Sequence, residues 1–124
     1  MGRADIANAF IRVIANCGRK FFAHSGEVSR LVVDSRGRVW FFDAYSKRDI
    51  YVAYRYHWRG FTEGGTLRCL IERLRDFVRT GERPRLALGP WPPEFCNGDL
   101  WGYGADMQLV RDAAERSFGK VDAA

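Results

Sequence analysis

The chain has two histidines and three cysteines, and these are the first residues that could do chemistry. A nucleophilic pair would have to join Cys17 or Cys69 to His24 or His57, because a thiol is activated by an imidazole within hydrogen-bond reach. Cys17, however, completes the apolar stripe of a first helix, which puts it inside the fold. No family-type signature surrounds Cys69 and His57. With Cys96 the cysteines are odd in number and far apart, and they read as structural thiols of a reducing compartment. Zinc needs about four clustered ligands, usually from a C-x-x-C or H-x-x-x-H knuckle, and neither spacing occurs. Asp43, Asp49 and Glu63 fall at turns or strand ends, where carboxylates are common anyway, and no serine sits in G-x-S-x-G. The expectation is a non-enzyme with no metal and no cofactor.

Two segments could bind rather than react. Gly60-Phe61-Thr62-Glu63-Gly64-Gly65-Thr66 leads into a helix N-terminus, where unpaired N–H groups and the dipole favour an anion. It is neither a Walker motif nor G-x-G-x-x-G, and it lacks the phosphate-gripping lysine. A glycine turn that lets Thr66 cap the helix explains it equally. The stronger signal is arginine interleaved with rings: Arg38-Val39-Trp40, then Tyr51 and Tyr54-Arg55-Tyr56-His57-Trp58-Arg59. Guanidinium groups neutralise phosphate, while exposed rings stack on bases or grip a protein partner. A wet sheet face of amphipathic Tyr and Arg is the alternative. The candidate partner-binding residues are Arg38, Trp40, Tyr54, Arg55, Trp58, Arg59 and Arg68.

The elements that must position them follow from periodicity. Ile6, Phe10, Val13, Ile14 and Cys17 form a helical stripe over 5–17, stopped by Gly18. A short strand or extended lead-in at 19–24 and a strand over 27–34 come next. Asp34-Ser35-Arg36-Gly37 is a turn, and 38–43 is the partner strand of a tight hairpin. Ile50 to Tyr56 alternates as the next strand, giving a three- or four-stranded antiparallel meander. If Val39 and Phe41 point inward, Trp40 and Phe42 point outward, or the reverse. Both sets are apolar, so the sheet is covered on both faces, or one face is an exposed aromatic patch. Thr66 to Arg79 is a helix with Leu67, Leu70, Ile71, Leu74, Phe77 and Val78 on one face. Arg68, Glu72, Arg73, Arg75, Asp76 and Arg79 take the other, with ion pairs Arg68–Glu72 and Glu72–Arg75. Residues 84–104 form a Pro- and aromatic-rich loop, and 105–118 a last helix with Met107, Val110, Ala114 and Phe118 on one side.

The fold class is therefore α+β. At 124 residues, with 47% hydrophobic residues, the chain suits one domain with an ordinary core. Net charge is +6 over residues 1–60, +2 over 61–85 and −3 over 86–124. An acidic, aromatic-rich segment 86–124 is thus expected to pack on a basic body 1–85. The basic body could attract polyanions or an acidic protein face. Only Lys20, Lys47 and Lys120 of the 20 basic residues are lysines, a bias that a high-GC genome also produces. No apolar run reaches the roughly 18 residues of a membrane span. Asp5, Asn8 and Arg12 interrupt any signal-peptide core. A cytoplasmic protein is expected.

Two resemblances attach to these residues. The order helix, three strands, helix over residues 5–79 resembles the double-stranded RNA-binding domain. That family opens its second helix with a phosphate-gripping lysine cluster, where this chain reads Gly64-Gly65-Thr66-Leu67-Arg68, so the likeness is one of topology alone. Gly37-Arg38-Val39-Trp40-Phe41, Trp58-Arg59-Gly60-Phe61 with Gly64-Gly65-Thr66-Leu67, and Leu100-Trp101-Gly102-Tyr103 resemble segments of small proteins of bacteriophages and prophages. That resemblance implies a setting in which compact inhibitors of host defence or regulators are common. The leading expectation is a protein-interaction module that docks on a host protein complex and acts by occlusion. The alternative is direct, sequence-independent binding of nucleic acid.

Overall fold

The computed structural model describes residues 2–17, 20–52, 58–61, 65–84 and 105–119. Helix α1 spans Arg3–Asn16, two residues earlier than the apolar stripe alone predicts. The extension has a local cause: Asp5 accepts a hydrogen bond from the Gly2 backbone N–H at 3.2 Å, so the first turn is closed from within. Its buried face is Ala7, Phe10, Ile11, Ile14 and Ala15, with Ile6 and Val13 only half-buried at its margins. The face is broader than the stripe and is rotated toward the alanines, which let neighbouring elements approach closely.

The expected strand over 27–34 is two strands. A two-residue hairpin, β1 (Ala23–His24) and β2 (Glu27–Val28), turns at Ser25 and Gly26, both at positive φ as a tight primed turn requires. Ser29 then breaks the run. Its N–H bonds the Phe22 carbonyl, and its Oγ accepts the Ala44 N–H at 2.9 Å, so the chain is pinned to two neighbours at once. Beyond it, β3 (Arg30–Val33), β4 (Val39–Asp43) and β5 (Arg48–Tyr51) form an antiparallel sheet in the order β3-β4-β5. The strand expected over 50–56 begins two residues earlier, at Arg48. It ends at Tyr51, and the remaining expected residues 53–56 lie outside the described ones.

Helix α2 (Gly65–Thr80) buries Leu67, Leu70, Ile71, Leu74, Phe77 and Val78, the whole face that its periodicity predicts. One residue of the opposite face departs. Arg75 is 4% exposed, and its Nε and Nη2 both lie 3.0 Å from the Asp76 carboxylate. The expected Glu72–Arg75 pair gives way to this contact. Arg68–Glu72 does form, at 3.8 Å. The helix ends at Gly81, whose φ of 79° lets its N–H reach the Phe77 carbonyl. Arg3 of α1 closes the same end by donating to the carbonyls of Val78 and Arg79 at 3.0 and 3.2 Å. A cation at a helix C-terminus also complements the dipole.

Helix α3 (Ala105–Phe118) packs on α1, with Met107, Val110, Ala113 and Ala114 buried. Phe118 sits edge-on against Phe10 and Phe77, at centroid distances of 5.3 and 4.9 Å. One hydrophobic cluster thus contains residues of all three helices and of the inner sheet face, where α1 contacts β3 and α2 contacts β4.

Candidate interaction face of the sheet

Strand alternation sends Leu31, Val39, Phe41, Ile50 and Val52 inward, where all five are buried. The register therefore settles the outer face. Arg30, Phe42 and Asp49 form one cross-strand row, and Val32, Trp40 and Tyr51 form the next. Trp40 and Phe42 are half-buried, while Val32 and Tyr51 are 37% and 48% exposed. The sheet contacts to α1 and α2 are made from the opposite side, so among the described residues no helix lies on this row of rings.

The rings are held by polar contacts rather than by enclosure. Tyr51 leans on Trp40, with centroids 5.1 Å apart. Asp34, at the hairpin turn, is the anchor. Its Oδ1 accepts the backbone N–H groups of Arg36 and Arg38, both at 2.9 Å. Its Oδ2 accepts Arg38 Nε at 2.8 Å and the Trp40 indole N–H at 3.0 Å. The indole donor, joined by those of Arg38 and Arg36, holds the Asp34 carboxyl well below the usual carboxylate range. At the other end of the face, the Arg30 guanidinium lies 4.4 Å from the Phe42 ring centroid.

The expected site residues separate in space. Arg38 and Trp40 stand together on the outer face, with the guanidinium 5.8 Å from the indole. Trp58 does not join them. It is 2% exposed and belongs to the core, packed on Phe61, which in turn meets the inner-face Phe41. An indole that large is worth more to the fold buried than outside. Arg59 is exposed on the turn between Trp58 and Phe61, whose Gly60 takes a φ of 86°. Arg68 lies on α2, in the helical layer, with its Nε buried and without a hydrogen bond. Tyr54 and Arg55 lie outside the described residues, as does 62–64 of the glycine-rich segment.

The outer face includes residues that were not among the candidates: Arg30, Val32, Phe42 and Tyr51. The signal that identifies them is register. The expected Asp34–Gly37 turn forms, with the Gly37 N–H donating to the Asp34 carbonyl at 3.0 Å and Gly37 at a φ of 78°, and a further bond beyond it fixes the pairing. That bond runs from the Asp34 N–H to the Arg38 carbonyl, and it sets Arg30 opposite Phe42. A slip of one residue moves every side chain to the other face.

The possible nucleophiles are placed apart. Cys17 is buried, and burial together with the nearby Asp106 carboxylate pushes its thiol up, away from the reactive thiolate. His24 is exposed and stacks on Tyr45 at 4.6 Å. Cys69 is exposed on α2, and His57 lies outside the described residues. Among the described residues no three His, Cys, Asp or Glu side chains cluster as metal ligands, and no helix is long and apolar enough to cross a membrane.

An α+β domain with a layer of helices on one side of a three-stranded sheet and partly exposed rings on the other is the class these observations define. The chain belongs to the YoqU family, whose model matches residues 1–123. No curated protein and no solved structure matches it.

Proposed function

We propose that this chain is a non-enzymatic protein-interaction module of phage type that inhibits a host defence or regulatory complex by occlusion, using the outer face of the sheet. The phage-style family name supports the setting. The charge balance of that face supports the choice of partner. Arg38 is neutralised by Asp34, and Arg30 shares its row with Asp49, so the ring surface carries as many carboxylates as guanidinium groups. A phosphate backbone would meet two anions there. A protein surface would find apolar rings framed by polar groups, the composition of an interface core and rim.

The test is capture of host proteins by the full chain and by Tyr51→Asp. The captured protein is then purified and assayed for stoichiometric inhibition. Expected is inhibition by the natural chain and none by the variant. The alternative reading rests on the net charge of +5. Binding of single- or double-stranded oligonucleotides that falls steeply with salt, and that is lost in Arg59→Glu with Arg68→Glu while Tyr51→Asp retains it, would replace this proposal with direct nucleic-acid binding.

A further inference from the structure

The edges and faces of the sheet are not equally open. At β3, the Asn8 side chain of α1 donates to the Leu31 carbonyl at 2.9 Å and accepts the Leu31 N–H at 2.7 Å. It therefore occupies the groups through which another strand would pair. The outer face has no such seal among the described residues, and its charges have a definite order. Across the sheet runs Arg30, then Phe42, then Asp49, a cation, a ring and an anion. Arg30 makes its contact with the Phe42 ring and forms no ion pair among the described residues. Asp49 is exposed at the opposite end of the row. The neighbouring row, Val32, Trp40 and Tyr51, is apolar from end to end.

We propose that this face is self-complementary and takes a second copy of the chain, sheet against sheet, about a two-fold axis parallel to β4. Strands lie about 4.8 Å apart, so Arg30 and Asp49 stand roughly 10 Å apart on either side of Phe42. Rotation about such an axis exchanges the β3 and β5 sides. Arg30 then lies over the second copy's Asp49, and Asp49 over the second copy's Arg30. In the next row Val32 meets the second copy's Tyr51, and the two Trp40 rings fill the centre. Facing sheets pack about 10 Å apart, a gap that side chains of this size bridge. Arg38 brings no net charge to the contact because Asp34 already neutralises it. The interface is isologous, the commonest arrangement of homodimers. Six side chains make a patch smaller than the roughly 800 Å² per partner of a standard interface, so the dimer is weak, with a Kd on the order of micromolar or above. This goes beyond the proposed function: a host partner on the same rings would compete with the second copy.

The experiment is sedimentation equilibrium of the full chain from about 1 μM to 1 mM, a range that starts at such a constant and extends well above it. The natural chain is expected to dimerise with concentration. Arg30→Asp and Asp49→Arg, alone, each place like charges at both symmetric contacts and are expected to weaken the dimer by about tenfold or more. An equimolar mixture of the two variants restores both contacts and is expected to form a heterodimer of near-natural affinity. A natural chain that stays monomeric throughout overturns the proposal. So does a mixture no more associated than its separate components, or variants that dimerise as the natural chain does. Circular dichroism of each variant checks that these exposed positions leave the fold intact. If self-association is absent but Tyr51→Asp still abolishes capture of the host protein, only this inference falls and the partner reading stands.

Discussion

On β4, Val39, Phe41 and Asp43 are enclosed, whereas Trp40 and Phe42, one residue removed, keep part of their surface in solvent. The same five-residue strand thus has two kinds of ring. Phe41 is held by shape, edge-on to Phe22 and Phe61 at 6.1 and 5.7 Å, with 0% of its surface exposed. Trp40 is held by a hydrogen bond to Asp34, by the Tyr51 ring and by the Arg38 guanidinium. The carboxylates divide likewise. Asp43 is buried and accepts the Tyr45 N–H and the Ser46 hydroxyl, which closes the β4–β5 turn. Asp34 remains partly exposed and organises side chains that face outward. The inner face is therefore specified by packing and the outer face by directed polar contacts. The second arrangement keeps apolar rings available without surrendering their positions.

The largest effect that would sharpen this contrast is on stability. Phe41→Ala should cost about 3–5 kcal/mol, the range for deleting a buried ring. Phe42→Ala should cost under about 1 kcal/mol, because its ring is still partly solvated and loses one cation–π contact. Urea denaturation of the two variants measures both, and comparable losses would dissolve the distinction between the faces. Asn8→Ala comes next. It leaves the Leu31 N–H and carbonyl without their partner, at about 1–3 kcal/mol, and it opens the β3 edge. A concentration-dependent transition midpoint in that variant would show the newly opened edge pairing with other chains.

The outer face also predicts a pH dependence. The folded Asp34 carboxyl is depressed below its unfolded value of about 3.9, so the unfolded chain binds the proton first. Its contribution to stability is complete above about pH 4 and declines as pH falls toward the folded value. In Asp34→Asn the fall of the melting temperature between pH 4 and pH 2 should be shallower, and Trp40 fluorescence should lose its response to acid. The smallest effect belongs to the helical layer. Glu72→Gln should change stability by less than about 0.5 kcal/mol, since Arg68–Glu72 is a part-exposed i,i+4 pair. A larger loss would mean that the buried Nε of Arg68, which makes no hydrogen bond, depends on that carboxylate.

Much of the fold was legible in local patterns. The buried face of α2 and the limits of α3 at Ala105 and Phe118 follow from helical periodicity, and the alternation along β4 separates Val39 and Phe41 from Trp40 and Phe42. The candidate site was less legible. Of its expected residues, Arg38 and Trp40 do share a face, but Trp58 was a poor inference from neighbourhood in the chain. Its ring follows Arg55 and His57 in a polar stretch, yet it is enclosed beside Phe61. Arg75 misled in the opposite sense, since a charge at a surface-phase helical position proved to be buried.

What the amino-acid sequence determined by itself was the α+β order of elements, the apolar faces of its helices and the two-sided alternation of its central strand, because these depend on residues three, four or two apart. Which side of the sheet the helices cover, which arginine meets which carboxylate and which tryptophan is enclosed depend on a hairpin register and on contacts such as Asn8 to Leu31 and Arg3 to Val78. Those contacts join residues more than twenty positions apart in the chain, and local periodicity carries no information about them; only the packed structure could decide them.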